Sequence, residues 1–182
     1  KAEADVREIE AAGGMAIAVQ ADMTKEADIL RMFDTVDKEL APLGALVNNA
    51  GIVDKGSKVE NMNLERLERM FATNITGPFL CAREAVKRLS TTHGGKGGVI
   101  VNISSVAAKT GAPNEYVDYA ASKGAIDAMT LGLAKEVAAE GIRVNAVRPG
   151  IIYTDIHASG GEPDRVERFK SMVPMLRGGQ PE

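Results

Sequence analysis

Short apolar runs alternate with longer helical segments along this chain of 182 residues. The runs that have the length and composition of buried strands lie at residues 15–19, 46–47, 99–103 and 143–147. The segments between them predict helices at residues 1–12, 25–40, 64–90 and 116–140. Strands that alternate with helices predict a parallel sheet covered by helices on both faces, which is the doubly wound α/β class.

Breaks in these patterns indicate how the chain is organised. Gly77-Pro78 interrupts the third predicted helix, and Pro149-Gly150 begins an irregular region. A short helix is predicted later in that region, from Pro163 to Met172. Neither an internal repeat nor a second domain is evident, so residues 1–182 are predicted to form a single domain.

Composition excludes several classes of partner. The formal net charge is -3 and only 4% of residues are aromatic, which argues against nucleic-acid binding and against an anionic membrane surface. No apolar run reaches the roughly 18 residues of a membrane span, and the first residues do not resemble a signal peptide. His93 and His157 have no neighbours at metal-ligand spacing, so no metal site is predicted, and Cys81 is unable to form an internal disulfide. A cytoplasmic protein is therefore expected.

Small or polar residues follow each predicted strand. In order, they are Asp22-Met23, Asn49-Ala50-Gly51, Ser104-Ser105 and Pro149-Gly150. In open α/β sheets, ligands bind beyond the carboxyl ends of the strands. The sequence therefore predicts a ligand site formed by these four segments.

Tyr119 and Lys123 lie four residues apart on a predicted helix, so their side chains share a face. A phenol has a pKa near 10 and must lose about three units to exchange protons at neutral pH. A neighbouring ammonium group lowers the pKa of a phenol, whereas burial of the pair opposes that shift, so a partly desolvated site is expected. The alternative is a surface tyrosine that packs along a lysine stem.

An ordered set of motifs surrounds this pair. It consists of Asn-Asn-Ala-Gly at 48–51, Asn74, Ile-Ser-Ser at 103–105, Tyr-Ala-Ala-Ser-Lys at 119–123 and Asn-Ala-Val-Arg-Pro-Gly at 145–150. With this set the chain resembles the short-chain dehydrogenase/reductase family from about Met15 to Thr154. The resemblance implies a Rossmann-like fold and an oxidoreductase that interconverts a small-molecule alcohol and a carbonyl. It also implies NADP or NAD as the cofactor, with NADP slightly favoured.

The resemblance assigns catalytic roles to four residues. Tyr119 becomes the general acid and base, and Lys123 lowers its pKa and binds the nicotinamide ribose. Ser105 holds the substrate oxygen, although Ser104 is the alternative at that position, and Asn74 positions a water that relays protons to the lysine. Tyr116 competes with Tyr119 by proximity, but its i+4 residue is Ala120, so it is expected to form a pocket wall.

Further residues are implied in cofactor binding. They are Asp22, Met23, Asn49, Ala50 and Gly51 on the adenosine side, Tyr119 and Lys123, and Pro149, Gly150, Ile152 and Thr154 around the nicotinamide carboxamide. Asp22 has an alternative role as a helix N-terminal residue. Thr154 has one as a turn residue, and Tyr153 either lines the pocket or simply packs.

The chain departs from the family pattern at both ends. The strand, glycine-rich turn and helix that bind a pyrophosphate are not matched, nor are the following strand and the final helix and strand. The predicted domain is therefore incomplete at both ends, and residues 1–182 alone are expected to be inactive. An omitted sequence explains this better than a truncated product, which would expose strand edges.

Two other functions are alternatives to an oxidoreductase. A catalytically silent binding or assembly domain is the main alternative, and a methyltransferase would not need a Tyr–Lys pair. The resemblance implies a homo-oligomer, often a tetramer, that assembles through the two long helices. The substrate is not specified by the sequence.

Overall fold

The computed structural model describes residues 2–181. Its helices are α1 (Ala2–Ala11), α2 (Glu26–Glu39), α3 (Leu64–Phe71), α4 (Gly77–Leu89), α5 (Ala107–Thr110), α6 (Val117–Glu136), α7 (Ile156–Ser159) and α8 (Arg165–Phe169). The strands are β1 (Ala45–Asn48), β2 (Gly98–Ile103) and β3 (Ile142–Val147). The predicted helices after residue 25, including the short one near residue 165, are confirmed with shifts of a few residues at their ends.

The three strands form one parallel sheet in the order β1-β2-β3. Val47 pairs with Val101, and Ile103 pairs with Val147. The parallel α/β architecture is thus confirmed, and all three strands end at one edge of the sheet.

One face of the sheet is covered within residues 2–181. α4 packs on β1 and β2, α6 packs on β3 and β2, and α2 packs on α4. On the other face Val47 and Val147 are 58% and 51% exposed. The helices expected on this second face are therefore not found in the described part of the chain. α1 does not supply them, because none of its residues is buried.

Helical spacing on α2 and α4 supplies most of the core. Ile29 and Phe33 face Ala85 and Leu89, each pair being four residues apart, and Ile100 of β2 lies beneath them. The remaining buried members of this cluster are Cys81, Val137, Ile142 and Val144. Burial raises the pKa of the Cys81 thiol to about 11, so this cysteine packs as a neutral side chain.

The strand predicted at residues 15–19 is absent from the structure. This segment has no regular secondary structure and pairs with no strand among residues 2–181, and Met15 is 75% exposed. A strand requires a neighbour that hydrogen-bonds along its length, and an apolar run does not supply one. The prediction failed because composition reports burial, whereas strand formation depends on pairing.

Gly97 allows β2 to begin beside the loop that precedes β3. Its φ is +78°, and a Cβ there would lie 2.5 Å from the carbonyl oxygen of Gly141.

Gly97→Ala should therefore lower the free energy of unfolding by about 2–5 kcal/mol, because the strain of a left-handed backbone and the overpacking add. Gly94→Ala is the matched control, because Gly94 has φ +85° but no atom within 4 Å of the added Cβ. Equal losses in urea unfolding of the two variants would exclude the close approach as the cause.

No helix within residues 2–181 is both long and apolar enough to cross a membrane.

Candidate active site

The helix that carries Asn74 is locally widened where it passes the sheet edge. α3 continues into a π-helical turn, Ala72–Thr76, in which the Gly77 N–H donates to the carbonyl of Ala72. Pro78 has no N–H to donate to residue 74, which favours this interruption. A Cβ on Gly77 would lie 2.7 Å from the carbonyl oxygen of Met23, so the helix meets the turn before α2 here. The interruption predicted near Gly77-Pro78 is confirmed.

Asn74 connects the loop after β1 to α6. Its side-chain oxygen accepts from the Ile52 N–H at 2.8 Å, and its amide nitrogen donates to the Ile52 carbonyl at 2.9 Å. The same nitrogen lies 3.2 Å from the Ser122 hydroxyl oxygen on α6. Asn74 is only 1% exposed, so these partners hold its orientation. Its expected role with a water remains a prediction.

Lys123 reaches the sheet edge from α6. Its ammonium group donates to the carbonyl of Ile103 at 2.7 Å. A Cβ on Gly51 would lie 3.5 Å from Lys123 Nζ and 3.4 Å from Asn74 Oδ1. The structure thus brings Gly51, Asn74 and Lys123 together beyond the ends of β1 and β2.

Tyr119 lies one helical turn before Lys123 on the same face. Lys123 Nζ is 5.6 Å from the centre of the phenol ring. The Ser105 hydroxyl lies close enough to the Tyr119 side chain to lower its pKa. It also accepts from the Ala107 N–H at 3.1 Å. The Ser104 hydroxyl is buried and donates to the Lys123 carbonyl at 3.2 Å. The geometry therefore places Ser105, and not Ser104, beside the phenol.

The pKa values at this pair differ from the expectation. Burial raises the pKa of Tyr119, which Ser105 and the charge of Arg165 oppose. Burial also lowers the pKa of Lys123 to about 8. The expected net lowering of the Tyr119 pKa is wrong for this arrangement, because the site is more desolvated than the sequence suggested.

Lys123 gives folding stability a specific pH dependence. Below about pH 8, Lys123 is protonated in both the folded and the unfolded protein. Between about pH 8 and the ordinary lysine pKa of 10.5, it is protonated only in the unfolded protein. Raising the pH through this window therefore stabilises the folded state. The free energy of unfolding of the wild type, minus that of Lys123→Met, should rise across the window in pH-resolved urea titrations. A difference that is flat or falling with pH would contradict the burial of this ammonium.

The turn before α2 uses Asp22 as a structural acceptor. Asp22 Oδ1 accepts from the N–H and the hydroxyl of Thr24 at 3.0 and 2.8 Å. These bonds lower the pKa of the exposed Asp22 carboxyl. Asp22 therefore stabilises the turn that precedes α2 and is not its N-terminal capping residue, because the cap position is Lys25. The carboxylate remains exposed for a second partner. Met23 is fixed beside Gly77.

Small, exposed residues follow β1 and β3. Asn49, Ala50 and Gly150 are exposed, and nothing lies within 4 Å of a Cβ built on Gly150. The carbonyl of Pro149 accepts from the Val106 N–H at 3.0 Å, which joins the loops after β2 and β3. Open backbone of this kind can lie close to a flat ligand.

The segment after Gly150 is anchored by the last described residues. Ile152 forms a bridge with Gly179, and the Tyr153 N–H donates to the Gly179 carbonyl at 3.0 Å. Thr154 is exposed, and His157 Nε2 lies 2.9 Å from the Ile152 carbonyl oxygen. The Tyr153 hydroxyl donates to Glu167 at 2.7 Å, on the exposed side of α8. Tyr153 therefore packs and bonds outside the Tyr119 site.

Sequence reasoning missed a set of charged residues beside the start of α6. They are Glu115, Glu162, Arg165 and Arg168, and they surround the buried ring of Tyr116. The three-residue spacing of Glu162, Arg165 and Arg168 was the available signal. It could not be interpreted because the partner, Glu115, is distant in sequence. Burial raises the pKa of Tyr116, which fits its expected role as a pocket wall.

Comparisons with known proteins agree with this architecture. A family model described as short chain dehydrogenase matches residues 1–164. The chain is 61% identical over 171 residues to an uncharacterized oxidoreductase, YgfF, of Escherichia coli K12, covering 94% of this chain and 69% of that protein. It is 41% identical over 165 residues to the glucose and ribitol dehydrogenase of Daucus carota, covering 91% of this chain and 55% of that protein.

Solved structures share the fold. A 3-ketoacyl-(acyl-carrier-protein) reductase from Brucella melitensis complexed with NADH superposes with a TM-score of 0.88 at 31% identity, covering 99% of this chain and 71% of that one. A blue fluorescent protein from a metagenomic library, in complex with NADPH, gives 0.85 at 32% identity, with 98% and 69% covered. The chain therefore belongs to the short chain dehydrogenase family of oxidoreductases.

Proposed function

We propose that the protein interconverts an alcohol and a carbonyl by hydride transfer with NADP(H) or NAD(H), and that Tyr119 is its general acid and base. The observation that carries the proposal is the meeting of Tyr119, Lys123, Ser105 and Asn74 beyond the ends of β1 and β2. These residues come from three separate parts of the chain. Packing alone does not require a hydroxyl, a phenol, an ammonium and an amide at one edge of a sheet.

The strand ends fit a dinucleotide. Exposed Asn49 and Ala50, and open backbone at Gly150, leave a path across the sheet edge, and Gly51 places no side chain between this path and Lys123 Nζ. Pro149, Ile152 and Thr154 are proposed to hold the nicotinamide end, and Asp22 and Met23 the adenosine end. When bound, the cofactor supplies or accepts the hydride. Relatives of known structure contain NADPH or NADH, and we favour NADP slightly.

During carbonyl reduction, Ser105 and Tyr119 act on the same substrate oxygen. The Ser105 hydroxyl, already turned toward the phenol, orients that oxygen. Tyr119 then donates its proton as negative charge develops there. Burial keeps the phenol protonated but makes it a weaker acid. Positive charge beside the forming phenolate is therefore needed to offset the effect of burial.

Lys123 returns the proton and stabilises the phenolate. Its pKa of about 8 places its titration near neutral pH, where an ammonium group both supplies a proton and adds positive charge. The hydrogen bond to Ile103 fixes its head group while this happens. In alcohol oxidation the same proton moves run in reverse.

Coenzyme turnover tests the proposal. The intact protein is incubated with NADPH or NADH and a panel of aldehydes, ketones and sugars, and loss of the near-ultraviolet absorbance of reduced nicotinamide is followed. Carbonyl-dependent oxidation with either coenzyme supports the proposal. Coenzyme binding without turnover on any of the panel, in either direction, favours the catalytically silent alternative.

We also propose a homo-oligomer built on the two long helices. Phe79 of α4 and Leu131 of α6 are 49% and 61% exposed, which suits contact with a second copy. Light scattering on the intact protein should give a multiple of the monomer mass, and a monomeric mass would contradict this.

A further inference from the structure

Two arginines of α8 meet two glutamates beside the start of α6. Arg165 Nη1 lies 2.8 Å from Glu115 Oε2 and 3.2 Å from Glu162 Oε2. Arg168 Nη1 lies 2.8 Å from Glu115 Oε1, and its other terminal nitrogen pairs with Glu162. This arginine–glutamate cluster, Glu115, Glu162, Arg165 and Arg168, joins α8 to the residue that precedes Tyr116.

Arg165 contributes packing as well as charge. Its guanidinium lies 4.6 Å from the centre of the Tyr116 ring and 4.7 Å from that of Phe169. The neighbouring Glu162 adds to burial in raising the pKa of Tyr116. A planar guanidinium can pair with carboxylates at its edge and stack on rings with its faces, which lysine cannot do. The Arg165 side chain is only 16% exposed, so water screens these contacts weakly.

The loop after β1 meets the same cluster. The Ser57 N–H donates to the Glu115 carbonyl at 2.8 Å. A Cβ on Gly56 would lie 3.5 Å from Glu162 Oε1 and 3.7 Å from the Tyr116 hydroxyl oxygen. The loop after β1, the residues that precede α6 and the α8 segment therefore meet around Arg165.

We infer that Arg165 is a positioning residue for the reaction at Tyr119: by pairing with Glu115 and Glu162 and stacking on Tyr116, it fixes the α7–α8 segment beside the phenol, so that the substrate is held between them. This inference rests on the proposed function. It concerns residues outside the quartet of Tyr119, Lys123, Ser105 and Asn74.

The charge of Arg165 predicts an effect on the pH–rate profile that loss of packing alone would not produce. Among the described residues, Lys123 Nζ lies over the Tyr119 ring, and Ser105 and the charge of Arg165 both act on the Tyr119 pKa. The positive charge of Arg165 lowers the pKa of Tyr119 and so opposes the effect of burial. Removal of that charge should raise the Tyr119 pKa further and move the corresponding limb of the pH–rate profile to higher pH.

The test compares Arg165→Met and Arg165→Lys with Lys170→Met in the intact protein. Within residues 2–181, the ion-pair partner of Lys170 is Glu167, on the exposed side of the same segment, which makes Lys170 a matched control. Arg165→Met should lower kcat/KM for the carbonyl by roughly 10- to 100-fold, the usual loss when reacting groups are displaced, and should shift the pH limb upward. Arg165→Lys should return the limb toward its wild-type position while KM stays raised. Lys170→Met should match the wild type.

Hydrogen exchange supplies a readout that does not depend on turnover. Amides of residues 156–172 should exchange faster in Arg165→Met and at the wild-type rate in Lys170→Met. Wild-type kinetics in Arg165→Met, or an activity loss with an unmoved pH limb and unchanged exchange, would overturn the inference. If Arg165→Met does not fold, Glu162→Gln removes part of the same cluster and keeps the charge of Arg165. It should lower kcat/KM and speed exchange at residues 156–172 without the upward shift of the pH limb, and wild-type kinetics and exchange would overturn the inference. A wild-type protein without hydride transfer would instead refute the proposed function.

Discussion

Tyr119→Phe is expected to lower kcat by roughly 10²- to 10⁴-fold, the range associated with loss of a general acid or base. The change removes one oxygen and leaves the ring in place on α6. The lost interaction with Ser105 should change the free energy of unfolding by no more than about 1.5 kcal/mol. Steady-state kinetics and urea unfolding of the same preparation measure both effects.

Tyr153→Phe is the matched control for this prediction. Its hydroxyl donates to Glu167 on the exposed side of α8, so the same deletion of oxygen occurs outside the site. Turnover of Tyr153→Phe should stay within about twofold of the wild type, because exposed hydrogen bonds contribute little. Wild-type turnover in Tyr119→Phe would refute the assignment of Tyr119 as the acid and base.

Arg66→Met is expected to lower the free energy of unfolding by about 3–5 kcal/mol, because it leaves a buried carboxylate without its charge partner. Arg66 Nε and Nη2 bind the two oxygens of Asp118 at 2.7 and 3.2 Å, and Nη1 donates to the Lys55 carbonyl at 2.7 Å. The Asp118 side chain is 0% exposed and directly precedes Tyr119. The pair therefore joins α3, the loop after β1 and the start of α6.

Arg69→Met, one turn further along α3, is the control for Arg66→Met. Arg69 pairs with Asp54, but its own side chain is 53% exposed, so the expected loss is at most about 1 kcal/mol. Urea unfolding of both variants measures the two losses. Similar losses would show that the burial of Asp118 does not determine how much stability Arg66→Met loses.

The parts of the fold that depend on local periodicity could be predicted from the sequence. Ile29 and Phe33 mark the buried stripe of α2, and Gly77-Pro78 marks the interruption before α4. The position of Ser105 after β2 also followed from strand–helix alternation, because parallel strands end at a common edge. The shared face of Tyr119 and Lys123 followed from their four-residue spacing on a helix. Their roles came from the resemblance and stay predictions.

Features that depend on distant partners could not be predicted. Residues 15–19 have a strand composition but no pairing neighbour among residues 2–181, which only the structure shows. The pairing of Arg66 with Asp118 spans 52 positions, so no local pattern indicates it. Likewise, the raised pKa of Tyr119 depends on burial by several segments, whereas the sequence shows only the helical neighbour, Lys123.

The most direct test of the central claim is the fate of the hydride. The intact protein is supplied with a carbonyl substrate and NADPH or NADH that carries deuterium at the transferred position, and the product is examined by mass spectrometry. The account predicts an alcohol with one deuterium on the former carbonyl carbon, formed in step with coenzyme oxidation. An alcohol without deuterium, or no alcohol across the whole substrate panel, would contradict it.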